Sequence, residues 1–252
     1  MKKLLTFVCL VAAVLTLTGA SRRRGELMPR NSSAGLVCSG AILSGDTERF
    51  ESGTGAFCLT GWTETDTASK LDSYNGVQFV TGTRSMRIDL DNSANALIHA
   101  NPADDDFSVR FYLRTTNFVS GFGAGNTCEL FRIDTESSFA GAPVLGIDLR
   151  VTGAPALNIR IRNLGTDVAG PTLSENTWYR IELDCSRNAT STLRVYDIGG
   201  AQVGTDATVT ASDFGFTYAM FGKISATTAA STIWMDNIIY SSAGTFPVGS
   251  DE

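Results

Sequence analysis

The chain has 252 residues, of which 43% are hydrophobic and 18% charged, with 20 basic and 26 acidic side chains for a net charge of −6. This length fits one large all-β domain or two smaller domains, and the abundance of Gly, Ser and Thr favours β-structure over a helical fold. The acidic balance excludes general nucleic-acid binding, and a single histidine, His99, excludes histidine-based catalysis and multi-histidine metal sites.

The N-terminal residues 1–20 have the layout of a secretory signal peptide, with two lysines, an apolar run and an end of small residues. The pattern predicts a secreted or cell-surface protein with no membrane contact after cleavage. Because Arg22 to Arg24 follow directly, an uncleaved anchor stays an alternative. Cleavage would remove Lys2 and Lys3, which leaves 18 basic and 26 acidic residues and a net charge of −8.

Four of the five cysteines lie beyond the signal segment, and an even number in an oxidising compartment allows three disulfide pairings. We prefer Cys38 with Cys58, since both lie in a loop-rich region. Buried free thiols are the alternative, above all for Cys128 and Cys185. No CxxC element is present, so the cysteines do not predict a zinc site.

The composition predicts four segments along the chain. The signal peptide spans residues 1–20. A polar stretch, residues 21–45, is expected to be flexible or to hold a loosely attached strand. A single sandwich domain is expected over residues 46–241, followed by a polar tail, residues 242–252.

Short strands at regular spacing fill the predicted domain, and no amphipathic helix of useful length interrupts them. The clearest alternation lies in residues 107–115, where Phe107, Val109, Phe111 and Leu113 are expected to point inward. Other strands are predicted at residues 85–90, 129–134, 144–151, 156–162, 218–224 and 232–240. The sequence therefore predicts an all-β fold of about a dozen strands, in two antiparallel sheets packed face to face.

A hairpin over residues 175–204 carries the most specific fold signal. Tyr179, Ile181 and Leu183 alternate with charged residues, then a polar loop leads into a strand that ends in Tyr196-Asp197-Ile198-Gly199. A strand led by a tryptophan, a polar loop and a Tyr-Asp-x-Gly ending resemble laminin-G-like and concanavalin-A-like domains. The resemblance implies a jelly-roll β-sandwich.

The beginning of the domain resembles jelly-roll carbohydrate-binding modules through Arg49-Phe50-Glu51-Ser52-Gly53, then Gly61-Trp62, then the strand at residues 85–90. That resemblance implies carbohydrate binding and a structural Ca²⁺ held by Glu51 and Asp236, with the hard oxygen ligands that this ion prefers. In the alternative interpretation, Asp236 and Asn237 cap a turn or pair with arginine.

Outward aromatic and arginine side chains are the candidates for sugar contact, since aromatic rings stack and guanidinium groups donate paired hydrogen bonds. The predicted ligand-binding residues are Arg110, Tyr112, Arg114, Arg180, Arg194 and Tyr196. Arg150, Arg160 and Arg162 also alternate outward. If the arginines converge, an acidic glycan is the expected ligand. Otherwise they form cross-strand ion pairs with Asp148 and Glu182.

The only catalytic candidates are Asp134 and Glu136, which can share one face of a strand. Retaining glycosidases need two carboxyl groups about 5 Å apart. Glu129 and Asp134 are predicted to lie on opposite faces, which would disqualify them as such a pair. Strand-end charges without a catalytic role are the alternative.

These patterns favour a secreted, non-catalytic carbohydrate-binding protein whose partner is a polysaccharide or cell-surface glycan. An exported or virion structural protein that uses the sandwich for assembly is the first alternative. A polysaccharide-cleaving enzyme, either a glycoside hydrolase or a polysaccharide lyase, is the second. The sequence leaves homo-oligomerisation open.

Overall fold

A computed structural model describes residues 41–42, 47–48, 63–66, 71–80, 85–90, 96–102, 106–134, 144–153, 156–186, 188–210, 218–226 and 231–241, all within a compact unit of residues 32–252. They form two β-sheets and a single short helix, α1 (Phe118–Phe122). None of the described helical structure is long and apolar enough to cross a membrane. The predicted signal peptide and C-terminal tail, together with Cys38, Glu51, Cys58 and Glu136, lie outside the described residues.

The first sheet has eight strands. Neighbouring strands are antiparallel except for β1 and β6, which run parallel. In spatial order they are β1 (Ala41–Ile42), β6 (Ala96–Pro102), β15 (Tyr218–Ala226), β8 (Thr127–Asp134), β9 (Leu145–Val151), β10 (Leu157–Asn163) and β11 (Thr166–Leu173), with β3 (Thr63–Asp66) also paired to β6.

The second sheet also has eight strands, all antiparallel. In spatial order they are β14 (Ala207–Thr210), β13 (Thr190–Asp197), β12 (Tyr179–Cys185), β7 (Phe107–Thr116), β16 (Ser231–Ser241), β5 (Ser85–Leu90) and β4 (Leu71–Asn75), with β2 (Thr47–Glu48) paired to β16. The predicted all-β, two-sheet antiparallel sandwich is confirmed.

The core lies between the two sheets. It is made by the inward-facing residues, which alternate with outward-facing ones along each strand. At its centre Phe111 from the second sheet contacts Phe221 from the first in an edge-to-face arrangement, with ring centroids 5.5 Å apart. Phe131 lies 4.6 Å from the same Phe221 ring. The predicted inward residues of β7 are all buried. Burying a side chain of this size contributes about 1.5–3 kcal/mol, so these rings stabilise the contact between the two sheets.

The predicted hairpin is formed by β12 and β13, with Ile181 opposite Val195 and Leu183 opposite Leu193. A tight turn follows β13: the Gly200 amide donates to the Asp197 carbonyl over 3.0 Å, and Gly200 has φ 86°. Glycine tolerates this left-handed conformation because it has no Cβ. The polar strand ends are therefore held in place by local hydrogen bonds.

The two sheets approach each other where the chain passes from β13 to β14. Gly204 there lies against Pro171 of β11, so close that a Cβ on Gly204 would be 2.8 Å from the Cβ of Pro171. The Asn163 side-chain amide also donates to the Thr210 carbonyl across the same boundary. Strand β14 of the second sheet thus packs on β10 and β11 of the first.

Two described cysteines, Cys128 and Cys185, are free thiols and fully buried in the core. This agrees with the interpretation of these two residues as buried thiols. Burial raises the pKa of both thiols well above its usual range. The preferred pairing of Cys38 with Cys58 stays a prediction.

Candidate functional site

The outer face of the second sheet carries all six predicted ligand-binding residues. Directly opposed residues of neighbouring strands share a face, and the register pairs Tyr196 with Arg180, Arg180 with Tyr112, and Tyr112 with Asp236. Two adjacent rows complete the set, one through Glu182 and one through Trp234. We call this set the polar face; it consists of Arg110, Tyr112, Arg114, Arg180, Glu182, Arg194, Tyr196, Trp234 and Asp236.

The row that begins with Tyr196 joins an aromatic ring, a cation and a carboxylate. The guanidinium of Arg180 lies over the Tyr196 ring, 4.4 Å from its centroid, and its Nε is 3.0 Å from Oε1 of Glu182. Glu182 is fully buried, whereas Arg180 and Tyr196 are half-buried. Desolvation, followed by the charge of Glu182, raises the pKa of the Tyr196 hydroxyl. Tyr196 therefore stays a neutral hydrogen-bonding group with an orientation set by Arg180.

Most arginines of this face lie beside carboxylates. Arg194 is 2.8 Å from Asp206, which also accepts a hydrogen bond of 2.7 Å from the side chain of Gln202. Arg110 is 1% exposed and lies opposite Glu182 in the register. The positive charge of the face is thus largely balanced by its own carboxylates, as the ion-pair interpretation anticipates for Arg180 with Glu182.

One corner of the polar face is different because its cation lies against a tryptophan. The Arg114 guanidinium is 5.1 Å from the Trp234 ring centroid and donates to Thr116 Oγ1 over 3.3 Å and to Asn176 Oδ1 over 3.4 Å. Within the described part of the chain Arg114 forms no ion pair. Desolvation lowers its pKa from the ordinary value. Arg87 of β5 lies on the other side of Trp234 in the register.

The remaining end of the Tyr196 row holds Asp236, which is fully buried. Its Oδ2 accepts the Val80 amide over 2.7 Å, so a residue far away in sequence is fixed onto the polar face. Strand β16 has a bulge here, and Asn237 adopts φ 52° with its side chain buried. Anchoring a loop through Asp236 matches the alternative, capping interpretation of this residue.

The outer face of the first sheet carries a second set of charges, which pair with one another. Arg132 lies 3.3 Å from Glu129 and 2.7 Å from Asp134. A separate group forms round the fully buried Asp148, which lies 2.8 Å from Arg160 and 3.1 Å from Arg162. The two groups together have seven members, which are Glu129, Arg132, Asp134, Asp148, Arg160, Arg162 and Asp167.

The prediction that Glu129 and Asp134 lie on opposite faces is wrong. A register shift between Glu129 and Phe131 inserts an extra residue into β8, and both carboxylates then reach Arg132 from one side. Asp134 is 8% exposed, with its carboxylate bound to Arg132. Its predicted catalytic partner, Glu136, lies outside the described residues, so the pair stays a prediction.

The predicted set of outward arginines divides between the two sheets. Arg110, Arg114, Arg180 and Arg194 belong to the second sheet, whereas Arg150, Arg160 and Arg162 belong to the first. An open hollow of about 450 Å³ lies beside Arg150 and Arg160. A single arginine-lined surface therefore does not exist, because strand order places β9 and β10 in the other layer.

Three members of the polar face were not among the predicted ligand residues. Glu182 alternates with Arg180 along β12, and Trp234 and Asp236 alternate along β16, so the period of two placed each on an outward position. The missing information was that β16 pairs with β7, which brings distant residues together. Residue alternation identifies a face, whereas only strand order identifies neighbours on it.

Solved structures show the same architecture. A protein of unknown function from Shewanella oneidensis MR-1 superposes with a TM-score of 0.52 at 16% identity, over 83% of this chain and 93% of its own. A carbohydrate esterase from the Shiga toxin-encoding bacteriophage phi24B gives 0.51 at 13% identity, over 77% and 95%. The GH43 protein BlXynB from Bacillus licheniformis gives 0.53 at 10% identity, over 78% of this chain and 39% of that protein.

At these identities the likeness shows the fold alone, which is a two-sheet antiparallel jelly-roll sandwich. No protein-family model matches the sequence. A comparison with curated protein sequences finds no match either. The function therefore has to be argued from the side chains of this chain.

Proposed function

We propose that this protein is a secreted or cell-surface carbohydrate-binding protein that holds a glycan on the polar face without cleaving it. The observation that carries the proposal is the row Tyr196, Arg180, Tyr112 and Asp236, which crosses four neighbouring strands. Tyr196 and Arg180 of this row are half-buried and present an aromatic ring and a planar donor to solvent, whereas Tyr112 and Asp236 are buried. Sugars are recognised by such a combination of stacking and paired hydrogen bonds. A rigid sheet keeps the ordering cost of binding low.

A neutral glycan fits this surface better than an acidic one. Arg180 pairs with Glu182, Arg194 with Asp206 and Arg87 with Asp89. These guanidinium groups still have N–H donors for hydroxyl oxygens, but they offer little uncompensated charge for a uronate. The attraction for an acidic ligand is thus weaker than arginine content alone suggests and is concentrated at Arg114, because attraction depends on the sum of all nearby charges.

The half-buried Tyr196 is the proposed stacking residue. Its ring is supported on one side by the Arg180 guanidinium at 4.4 Å. Trp234 is 7% exposed and contacts Arg114, so it supports the face rather than offering a second open ring. Binding energy is therefore expected to concentrate at one edge of the face, as few residues normally dominate an interface.

Affinity electrophoresis through gels containing xylan, galactomannan or mixed-linkage β-glucan tests the proposal, with alginate as the acidic comparison. We expect at least one neutral polysaccharide to retard the protein and Tyr196→Ala to reduce this effect about tenfold. Tyr218→Ala is the matched control, since Tyr218 is also half-buried but lies on the first sheet. Equal migration of wild type and Tyr196→Ala in every gel would contradict the proposal.

The same samples discriminate the other function classes. A protein that binds no polysaccharide but elutes as an assembly on size-exclusion chromatography would support the structural role instead. Release of reducing or unsaturated sugar ends would indicate an enzyme, and the only catalytic candidates, Asp134 and Glu136, are then the first residues to substitute.

We further propose a structural Ca²⁺ beside Asp236. Asn237 is 1% exposed, and its side-chain oxygen finds no hydrogen-bond donor in the described part of the chain. A buried amide oxygen next to a buried carboxylate suits a cation, which prefers such ligands together with carbonyl oxygens. The described residues contain no cluster of three or more acidic, cysteine or histidine ligands. The proposed site thus depends on backbone oxygens and on Glu51, and Glu51 lies outside the described residues.

A further inference from the structure

We propose that residues 76–80 form a wall of the glycan-binding site and that Phe79 provides its apolar contact to a sugar ring. This inference rests on the proposed function and extends it by naming a residue that the alternation of strands does not reveal. The segment follows β4, at the edge of the second sheet, and it crosses onto the polar face at β16. We call it the wall segment.

Three hydrogen bonds anchor the wall segment. The Val77 amide donates to Asn75 Oδ1 over 3.0 Å at its beginning, and Ser85 Oγ donates to the Gln78 carbonyl at its middle. At its end the Val80 amide donates to Asp236 Oδ2 over 2.7 Å. A bond from an amide to a fully buried carboxylate is charge-assisted and among the stronger hydrogen bonds in proteins. The backbone of residues 76–80 is therefore positioned on the sheet before any ligand arrives.

Asp236 determines where the wall segment lies relative to the predicted ligand residues. In the register Asp236 is the direct cross-strand neighbour of Tyr112, and Tyr112 is the neighbour of Arg180. Neighbouring strands are about 4.8 Å apart. The wall segment is thus anchored three strands away from Tyr196, at a distance of about 14 Å, which leaves room for more than one sugar ring between them.

The side chains of the wall segment are exposed although they are hydrophobic. Val77 is 68% exposed and Phe79 is 40% exposed, and the described part of the chain has two other large hydrophobic residues with such exposure, Leu164 and Ile198. A single exposed apolar residue needs no explanation. Two of them on a firmly anchored segment beside a polar aromatic surface indicate a contact that becomes buried on binding.

The chemistry of a pyranose explains why an apolar wall suits a polar floor. A sugar ring carries hydroxyl groups round its edge and C–H groups on its face, so it binds best between hydrogen-bonding side chains and an aromatic surface. The half-buried guanidinium groups of Arg114, Arg180 and Arg194 can donate hydrogen bonds to the hydroxyls, while Phe79 can cover the C–H face. Phe79 then favours neutral pyranoses with an uninterrupted apolar face and disfavours rings with charged substituents.

Isothermal titration of the full chain with xylohexaose, cellohexaose and mannohexaose tests this inference. We expect Phe79→Ala to weaken the association constant for the best of these probes about tenfold, with Phe79→Trp retaining it. Leu164→Ala is the matched control, because Leu164 is exposed and hydrophobic but lies between β10 and β11 of the first sheet. An unchanged melting temperature in all three variants would exclude an effect through folding.

The outcomes separate the wall from the proposed function. If Phe79→Ala binds like the wild type while Tyr196→Ala loses binding, the wall is wrong and the polar face stands. An equal loss in Phe79→Ala and Leu164→Ala would also overturn the wall, since the effect would not depend on position. If the wild type binds none of the probes and no polysaccharide, both proposals fail.

Discussion

Asp148 is fully buried between Arg160 and Arg162, and the balance between burial and charge decides how it affects stability. Desolvation raises the pKa of its carboxyl above the ordinary value, and the two arginines oppose this shift without cancelling it. A raised pKa in the folded state means that the fold binds the proton more tightly than the unfolded chain does. Its contribution to stability is then largest below the unfolded pKa and declines as pH rises through the folded pKa.

We therefore predict that the stability of the wild type relative to Asp148→Asn falls as pH rises from about 3.9, by about 1.4 kcal/mol for each unit by which the pKa is raised. The variant has no proton to lose at this position, so it provides the reference at each pH. Urea unfolding of both proteins between pH 3.5 and 7 measures the difference. A difference that increases with pH would show instead that the arginines hold the carboxylate in its charged form.

The two buried thiols give a second prediction for single residues. Alkylation requires the thiolate, and burial raises the pKa of Cys128 and Cys185 while also excluding the reagent. Iodoacetamide at pH 8 is expected to leave both thiols unmodified in the native protein and to modify both in urea. Mass spectrometry of the peptides shows which cysteines are alkylated. Alkylation of Cys185 in the native protein would show that its thiol is accessible to the reagent.

Gly204 and Gly200 form a matched pair for testing how the second sheet closes on the first. Both have a positive φ, 72° and 86°, so alanine at either position costs about 1–2 kcal/mol of backbone strain. Only Gly204 also lies against Pro171, whereas a Cβ on Gly200 would meet nothing within 4 Å. We predict that Gly204→Ala lowers the unfolding free energy by roughly 1–3 kcal/mol more than Gly200→Ala. Similar urea midpoints for the two variants would show that β11 can shift away at no cost.

Individual strands differ in how readily the sequence predicts them. Strand β7 was predicted closely because both of its sides are marked, by apolar residues inward and by Arg110, Tyr112 and Arg114 outward. Strand β11 was missed because Gly170 and Pro171 weaken any strand signal, and an edge strand tolerates proline where a central strand does not. The bulge in β8 has no signature in residue type, since it depends on pairing with β9.

The candidate site was predictable as a set of outward residues but not as an arrangement. Alternation gave Arg180 and Tyr196 an outward position, yet it could not tell that Arg160 belongs to the other sheet. The wall segment had no periodic pattern at all. Its position depends on the hydrogen bond from Val80 to Asp236, which spans 156 residues of sequence. Long-range pairing of this kind follows from the fold as a whole.

Stability of the whole molecule provides the test for Ca²⁺. If the ion binds at Asp236, the folded state gains free energy with ion concentration, because the unfolded chain has no such site. We predict that EDTA lowers the melting temperature of the wild type and that added Ca²⁺ restores it. In Asp236→Ala, EDTA should have no effect, although the variant melts lower from the start. Phe79→Ala provides the control that keeps the carboxylate, and it should respond to EDTA like the wild type.

A sandwich is usually described by its single apolar layer, but this molecule also buries charged side chains on both outer surfaces. Arg110 and Arg132 are each 1% exposed, on opposite sides of the molecule. Removing one member of a buried ion pair, such as Glu129 with Arg132, leaves the other charge buried and uncompensated, which commonly costs about 3–5 kcal/mol. Single substitutions of these buried charges are thus expected to lower the free energy of unfolding, whatever their effect on binding. If the polar face binds a ligand, its specificity is expected to change by exchange of both members of an ion pair, such as Arg180 and Glu182, or at the periphery, where Tyr196 and Phe79 can vary alone.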